Sequence, residues 1–172
     1  MTAGWTTRPE AAGDAAAIRE VNLAAFETAD EADLVDALRG SAAWIDGLSF
    51  VAAEPEGAIV AHALLTRCHV DSTPALALAP CAVIPRMQRR GAGSAATRAA
   101  LDAARDMGEG LVVVIGHPAY YPRFGFERAS SFGIRAPFEV ADEAVMALPL
   151  RPDREVPSGT IVYPAAFGLQ ES

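Results

Sequence analysis

The chain has no lysine: all 14 of its basic residues are arginine. That excludes a Schiff-base mechanism, which needs a side-chain amine as nucleophile. It also excludes a P-loop, whose lysine reaches the nucleotide phosphates. Cysteine is nearly missing too. Cys68 and Cys81 have no metal-ligand spacing and are too few for a disulfide framework. No apolar run approaches the ~20 residues of a membrane span, and no charged-then-apolar leader opens the chain. The expectation is a soluble, cytoplasmic protein without a membrane partner. Positive charge is in deficit overall: 22 acidic residues give a formal net charge of -8. Nucleic acid and anionic membranes are therefore poor candidates for the main partner, whereas a cationic acceptor such as an amine is compatible.

What is present suits one α/β domain over residues 1–172, long enough to bury a core. "GWTTRPE" predicts a short strand turned by Pro9. Asp14 is placed to cap a helix whose Ile18, Val21 and Ala25 share a face. Thr28 with Glu31 has the spacing of a capping box for a second helix that stops at Gly40. "LSFVAAE" and "AIVAHALLTRCHV" read as strands about the turn "EPEG". Ala75 to Ile84 reads as a strand broken by Pro80, a residue that predicts an edge or a bulge. An alanine-rich helix then ends near Met107, with Gly108 as its cap. "LVVVI", Leu111 to Ile115, is apolar throughout and suits a central strand covered on both faces. "VMALPL" and "GTIVYP" supply late strands.

The stretch "PRMQRRGAGSAATRAAL", Pro85 to Leu101, sets glycines and arginines at a helix start. Unpaired N–H groups, the positive end of the dipole and a closely approaching backbone together favour an anion there. A Walker motif fails for want of lysine. The letters "GAGSAA" fit a dinucleotide fingerprint, but "RMQRR" separates them from the strand, and no acidic residue follows the next strand. The run Val83 to Gly93, with Gln88-x-x-Gly91-x-Gly93 at its core, resembles the acetyl-CoA motif of GNAT-superfamily N-acetyltransferases. "GHPAYYPRFGF", "PFEVADEAVMALPL" and "GTIVYPAAFG" extend the likeness over nearly the whole chain, to the YhbS-like subgroup.

That resemblance implies the acyl-CoA N-acyltransferase fold, a mixed and mostly antiparallel sheet splayed at its middle strands and flanked by helices. It implies acetyl-CoA as co-substrate, no metal, and direct attack by an amine in a ternary complex. The pyrophosphate would sit on the loop of Arg89, Arg90, Gly91, Ala92, Gly93 and Ser94. The pantetheine arm would pair with Cys81, Ala82 and Val83, where an N–H near Ala82 or Val83 polarises the acetyl carbonyl. Tyr121, four residues before Gly125-Phe126, takes the position of the general acid that protonates the departing thiolate; Tyr120 alternates away and reads as structural. The segment from Gly116 to Phe124 departs from the family. It is a short, proline-flanked loop where relatives carry a helix and an asparagine.

No carboxylate stands between Ala75 and Ile84 to act as base. His117 is the candidate by position and a loop-bound histidine by the plainer reading, while His62 and His69 read as packing or surface residues. Cys81 reads as a small filler, and Asp142 with Glu143 as a solvated pair. Residues 42–47 and 71–74 are candidate walls of the acceptor pocket. A non-catalytic acyl-CoA sensor on the same fold is the alternative. Many relatives form dimers, which leaves a homodimer open.

Overall fold

The structure is a computed structural model that describes residues 5–168. Gly4 of the opening stretch lies outside the described residues. The elements run β1 (Thr6–Pro9), α1 (Ala15–Ala25), α2 (Asp30–Arg39), β2 (Ser49–Ala53), β3 (Ile59–Val70), β4 (Thr73–Val83) and α3 (Ala92–Asp106). Then follow β5 (Leu111–Ile115), β6 (Glu127–Arg128), β7 (Ile134–Arg135), β8 (Val145–Pro149) and β9 (Gly159–Val162). The sheet order is β1-β2-β3-β4-β5-β8-β6, with β9 on the far half of β3 and β7 beside β9. Every pairing is antiparallel except β4 with β5 and β7 with β9. Among the described residues, no helix is long and apolar enough to cross a membrane.

Strand alternation sends two sets of side chains to opposite faces. Ala61, Ala63 and Leu65 of β3 meet Ala96, Ala100 and Ala104 of α3, where the bare methyls let the helix lie close to the sheet. Leu64, with Val51, meets Ile18 of α1 and Val35 and Leu38 of α2. β5 is covered on both sides as its sequence predicts: Val112 and Val114 face α3, and Leu111 and Val113 face a second cluster with Ile134 and Ile161. Each fully buried leucine or isoleucine in these layers contributes about 1.5–3 kcal/mol.

Both predicted helix starts differ in detail from expectation. Asp14 stands at the N-cap of α1 without a side-chain capping bond. Its carboxylate is taken by Arg8, at 2.6 Å, and by the Ala11 N–H, and the Arg8 bond holds its pKa below the usual carboxylate value. The capping box does not form. Ala29 is the N-cap of α2, and Thr28 Oγ1 accepts the Asp30 N–H at 3.3 Å. Asp30, Glu31 and Asp33 still place negative charge at the positive end of the helix.

Pro80 makes a bulge against β3, in the half of β4 that is open on its other side. Ala63 pairs with Cys81 and Leu65 with Leu78, so Ala79 and Pro80 together oppose Leu64. On its other side β4 pairs with β5 at Leu76–Val112 and Ala77–Val113 alone. Past those residues the two strands part, and the second half of β4 is left without a partner on that side.

Candidate active site

A cleft of about 790 Å³ opens where β4 and β5 diverge. Cys81 and Val83 form its wall on β4, the start of α3 closes one end, and the segment after β5 brings His117, Tyr120, Tyr121 and Arg123 across from them. Ala25 and Phe26, at the end of α1, complete the mouth. Ala25 therefore belongs to the cleft and not to the buried face of α1.

The main chain of β4 presents its polar groups selectively. Ile84 N–H donates to the Val60 carbonyl at 3.0 Å, which makes Val83–Ala61 a pair without mutual hydrogen bonds. By the alternation of an antiparallel ladder, Ala82 turns its N–H and carbonyl toward β3. Cys81 and Val83 turn theirs toward the open side. Gln88 Nε2 already donates to the Val83 carbonyl at 3.2 Å, so the Val83 N–H is the free donor of that residue. Of the two sequence candidates for carbonyl polarisation, Ala82 is thus committed to the sheet.

The glycine loop behaves as its composition predicts. Gly91 is the N-cap of α3 at φ +91°, a conformation that favours glycine. The first ladder bond of the helix runs from Ala95 N–H to the Gly91 carbonyl. The N–H groups of Ala92, Gly93 and Ser94 meet no acceptor among the described residues. A Cβ on Gly93 would come within 2.7 Å of Val83 Cγ2, so glycine here lets the start of α3 approach β4. Arg89 lines the cleft. Arg90 does not: its carbonyl accepts the Trp5 indole N–H at 3.0 Å. Arg86, the first arginine of the stretch, is held by Glu54 at 3.0 Å.

Tyr121 begins a single 3-10 turn, Tyr121–Phe124, in place of a full helix. Its ring packs on Phe124 and Phe126 and lies directly over Gly116. Tyr121 and the Cys81 thiol are neighbours in the cleft lining. Burial, and then the sulfur beside it, push the Tyr121 pKa well up; burial does the same to Cys81. Cys81 also touches Thr97 Oγ1 of α3 at 3.4 Å. The thiol is thus more than filler, since it forms part of the cleft wall.

Tyr120 corrects the alternation argument. In a 3-10 turn consecutive side chains do not alternate as they do on a strand, and both tyrosines face the cleft, with ring centroids 5.0 Å apart. Tyr120 bonds through its hydroxyl to Ser94 Oγ at 3.0 Å. Its adjacency to Tyr121 was visible in the sequence; its tie to the glycine loop was not, because that contact spans 26 residues. The other candidates lie elsewhere. His62 is buried between Asn22 and Ser49, and His69 pairs with Pro74 and Val162. Asp142 is exposed beside Arg128 and Ser130. Residues 42–47 and 71–74 do not line this cleft.

Residues 15–126 match the acetyltransferase (GNAT) family. The chain is 42% identical over 135 residues to the uncharacterised N-acetyltransferase YjhQ of Escherichia coli, covering 76% of this chain and 74% of that one. It is 32% identical over 124 residues to the uncharacterised N-acetyltransferase YhbS of the same organism, covering 71% and 73%. Its fold is similar to the crystal structure of Escherichia coli YhbS in complex with CoA, with a TM-score of 0.88 at 27% identity over 95% of this chain and 92% of that one. A Brucella melitensis GNAT acetyltransferase in complex with acetyl-CoA gives a TM-score of 0.78 at 29% identity over 95% and 97%. The chain belongs to the GNAT acetyltransferase family.

Proposed function

We propose that residues 1–172 work as one domain that moves the acetyl group of acetyl-CoA to a primary amine, by direct attack in a ternary complex. The observation that carries this reading is the splay between β4 and β5. It opens into a cleft with unpaired N–H groups at one end and a tyrosine hydroxyl beside a sulfur at the other. The CoA and acetyl-CoA complexes of the two similar structures support it.

Transfer from a thioester to an amine asks three things of the protein. The carbonyl must be polarised as the nitrogen lone pair adds to it, the sulfur must take a proton as the C–S bond breaks, and the ammonium must lose one. The Val83 N–H, facing the cleft, is assigned the first task. Tyr121 is assigned the second: its raised pKa keeps the hydroxyl protonated, and it stands beside the Cys81 thiol in the cleft. For the third, no carboxylate lines the cleft, and among the described residues His117 is the one imidazole in the lining. The open N–H groups of Ala92, Gly93 and Ser94 are assigned the pyrophosphate.

The test is calorimetric titration with acetyl-CoA, CoA and NAD, followed by an assay of CoA release against a panel of amines. Micromolar binding of acetyl-CoA but not NAD, with amine-dependent release, is the expected result. Binding without release from any amine would mark a sensor, and no binding at all would end the reading.

A further inference from the structure

The arginines that sequence places on the cofactor are those of the glycine loop, yet a different one is built into the cleft. Arg123 lines the cleft with Arg89, Gly91, Gly93, Ser94 and Tyr120. Its Nε donates to the Tyr120 carbonyl at 2.8 Å, and its guanidinium lies 4.2 Å from the centroid of the Tyr120 ring. The same tyrosine holds Ser94 Oγ at 3.0 Å, at the start of α3. Tyr120 thus ties the cation to the helix end whose N–H groups are open, fixing both ends of a long side chain that would otherwise sweep solvent. Arg123 has no carboxylate partner among the described residues, whereas Arg8, Arg19, Arg39, Arg67 and Arg86 are each paired. A guanidinium held by one face and by Nε keeps its two terminal nitrogens for an anion.

We infer that Arg123 is the side chain that meets the pyrophosphate of the co-substrate, and that Tyr120 is its positioning residue. The inference rests on the acetyl-CoA reading above and adds to it a determinant of cofactor choice. The clamp should favour CoA thioesters over shorter pantetheine thioesters that carry no phosphate.

Calorimetry on the full chain with CoA, dephospho-CoA (which lacks the 3′-phosphate) and S-acetylpantetheine tests this. S-acetylpantetheine turnover is followed in parallel. Arg123→Gln should weaken CoA and dephospho-CoA alike, by about tenfold or more, and lower S-acetylpantetheine turnover by a much smaller factor. Tyr120→Phe, which keeps the ring but loses the Ser94 bond, should show the same pattern more weakly. Arg123→Lys, which keeps the charge but loses the stack and the Nε bond, should recover only part of the affinity. Equal losses for all three ligands would mark a merely structural residue. A loss confined to CoA would move Arg123 to the 3′-phosphate, and unchanged affinity would remove it from the site. Each of these three results overturns the inference, whereas failure of the wild-type chain to bind CoA would instead sink the acetyl-CoA reading.

Discussion

The Tyr121 ring rests against the bare Cα of Gly116, with no room between them for a methyl group. The residue that follows β5 is therefore a spacer for the proposed acid. Gly116→Ala should push the ring away from Cys81 while leaving the glycine loop untouched. A displacement of about 1 Å at a reacting group can cost about 10²-fold. The expected result is a fall in kcat of about tenfold to a hundredfold with CoA affinity nearly unchanged. Tyr121→Phe should cost about 10²-fold or more, and the double variant should be no worse than Tyr121→Phe alone. Additive losses in steady-state kinetics would separate the two residues.

The close approach of α3 to β4 gives the second prediction. A Cβ on Gly93 meets Val83 Cγ2 at 2.7 Å, a branched side chain fixed on a strand. Gly93→Ala should force the helix start outward and weaken acetyl-CoA binding about tenfold or more. Gly91→Ala should act differently, because the space around it is open apart from Trp5 Nε1 at 3.8 Å. The φ of +91° strains any other residue there, at about 1–2 kcal/mol. Thermal unfolding should therefore register Gly91→Ala more strongly than Gly93→Ala, and titration with CoA the reverse. Gly91→Trp, which sets bulk on the anion path, should abolish binding.

Much of this arrangement was legible before any coordinates. The break in β4 is marked by Pro80, which has no N–H to give a neighbour. The glycine loop rests on the local geometry of a helix start. Both depend on a few adjacent residues, which is why sequence reaches them. Tyr120, Arg123 and Phe26 were missed because their roles depend on contacts made across the cleft. A 3-10 turn breaks the alternation that sorts strand residues by face. The unformed capping box and the diverted Asp14 carboxylate show the same limit on a smaller scale: Arg8 takes that carboxylate from another element.

A buried chain of polar groups predicts how stability depends on pH. His62 is 1% exposed. Its Nε2 is 2.9 Å from Ser49 Oγ, and its Nδ1 is 3.3 Å from Asn22 Nδ2. Ser49 in turn donates to Glu10 at 2.5 Å, and Glu10 is held by Arg39. Burial, and then the Arg39 charge, lower the His62 pKa from 6.5 to about 3. The unfolded chain therefore binds a proton below about pH 6.5 that the folded chain refuses until about pH 3. Stability from this residue is complete above pH 6.5 and falls as the pH drops toward 3, by up to about 1.4 kcal/mol per pH unit. Urea unfolding at pH 7.5 and pH 5 should show that loss. His62→Gln, which cannot titrate, should be less stable at pH 7.5 yet flatter between the two. An equal slope in the variant would assign the loss to other groups.

The far end of β3 carries the last prediction. Arg67 and Glu109 form two parallel bonds of 2.8 and 2.7 Å, and Arg67 Nη1 also donates to the Ala75 carbonyl at 3.1 Å. The pair joins β3 and β4 to the turn that follows α3, so it braces the paired half of the sheet below the splay. Its side chains are 27% and 19% exposed, against 45% and 73% for Arg105 and Asp102 on the helix surface. An exposed pair contributes about 0–1 kcal/mol, and breaking a fully buried one costs about 3–5 kcal/mol. The half-buried pair belongs between them. Glu109→Gln should therefore destabilise by about 1–2 kcal/mol, because it leaves the guanidinium facing a neutral amide. Asp102→Asn should stay within about 0.5 kcal/mol of wild type. Neither residue lines the cleft, so CoA affinity should hold in both variants at a temperature where each is folded. A loss of affinity in Glu109→Gln with no loss of stability would mean that this pair, at the opposite end of β4, sets the opening of the strands and not the strength of the sheet.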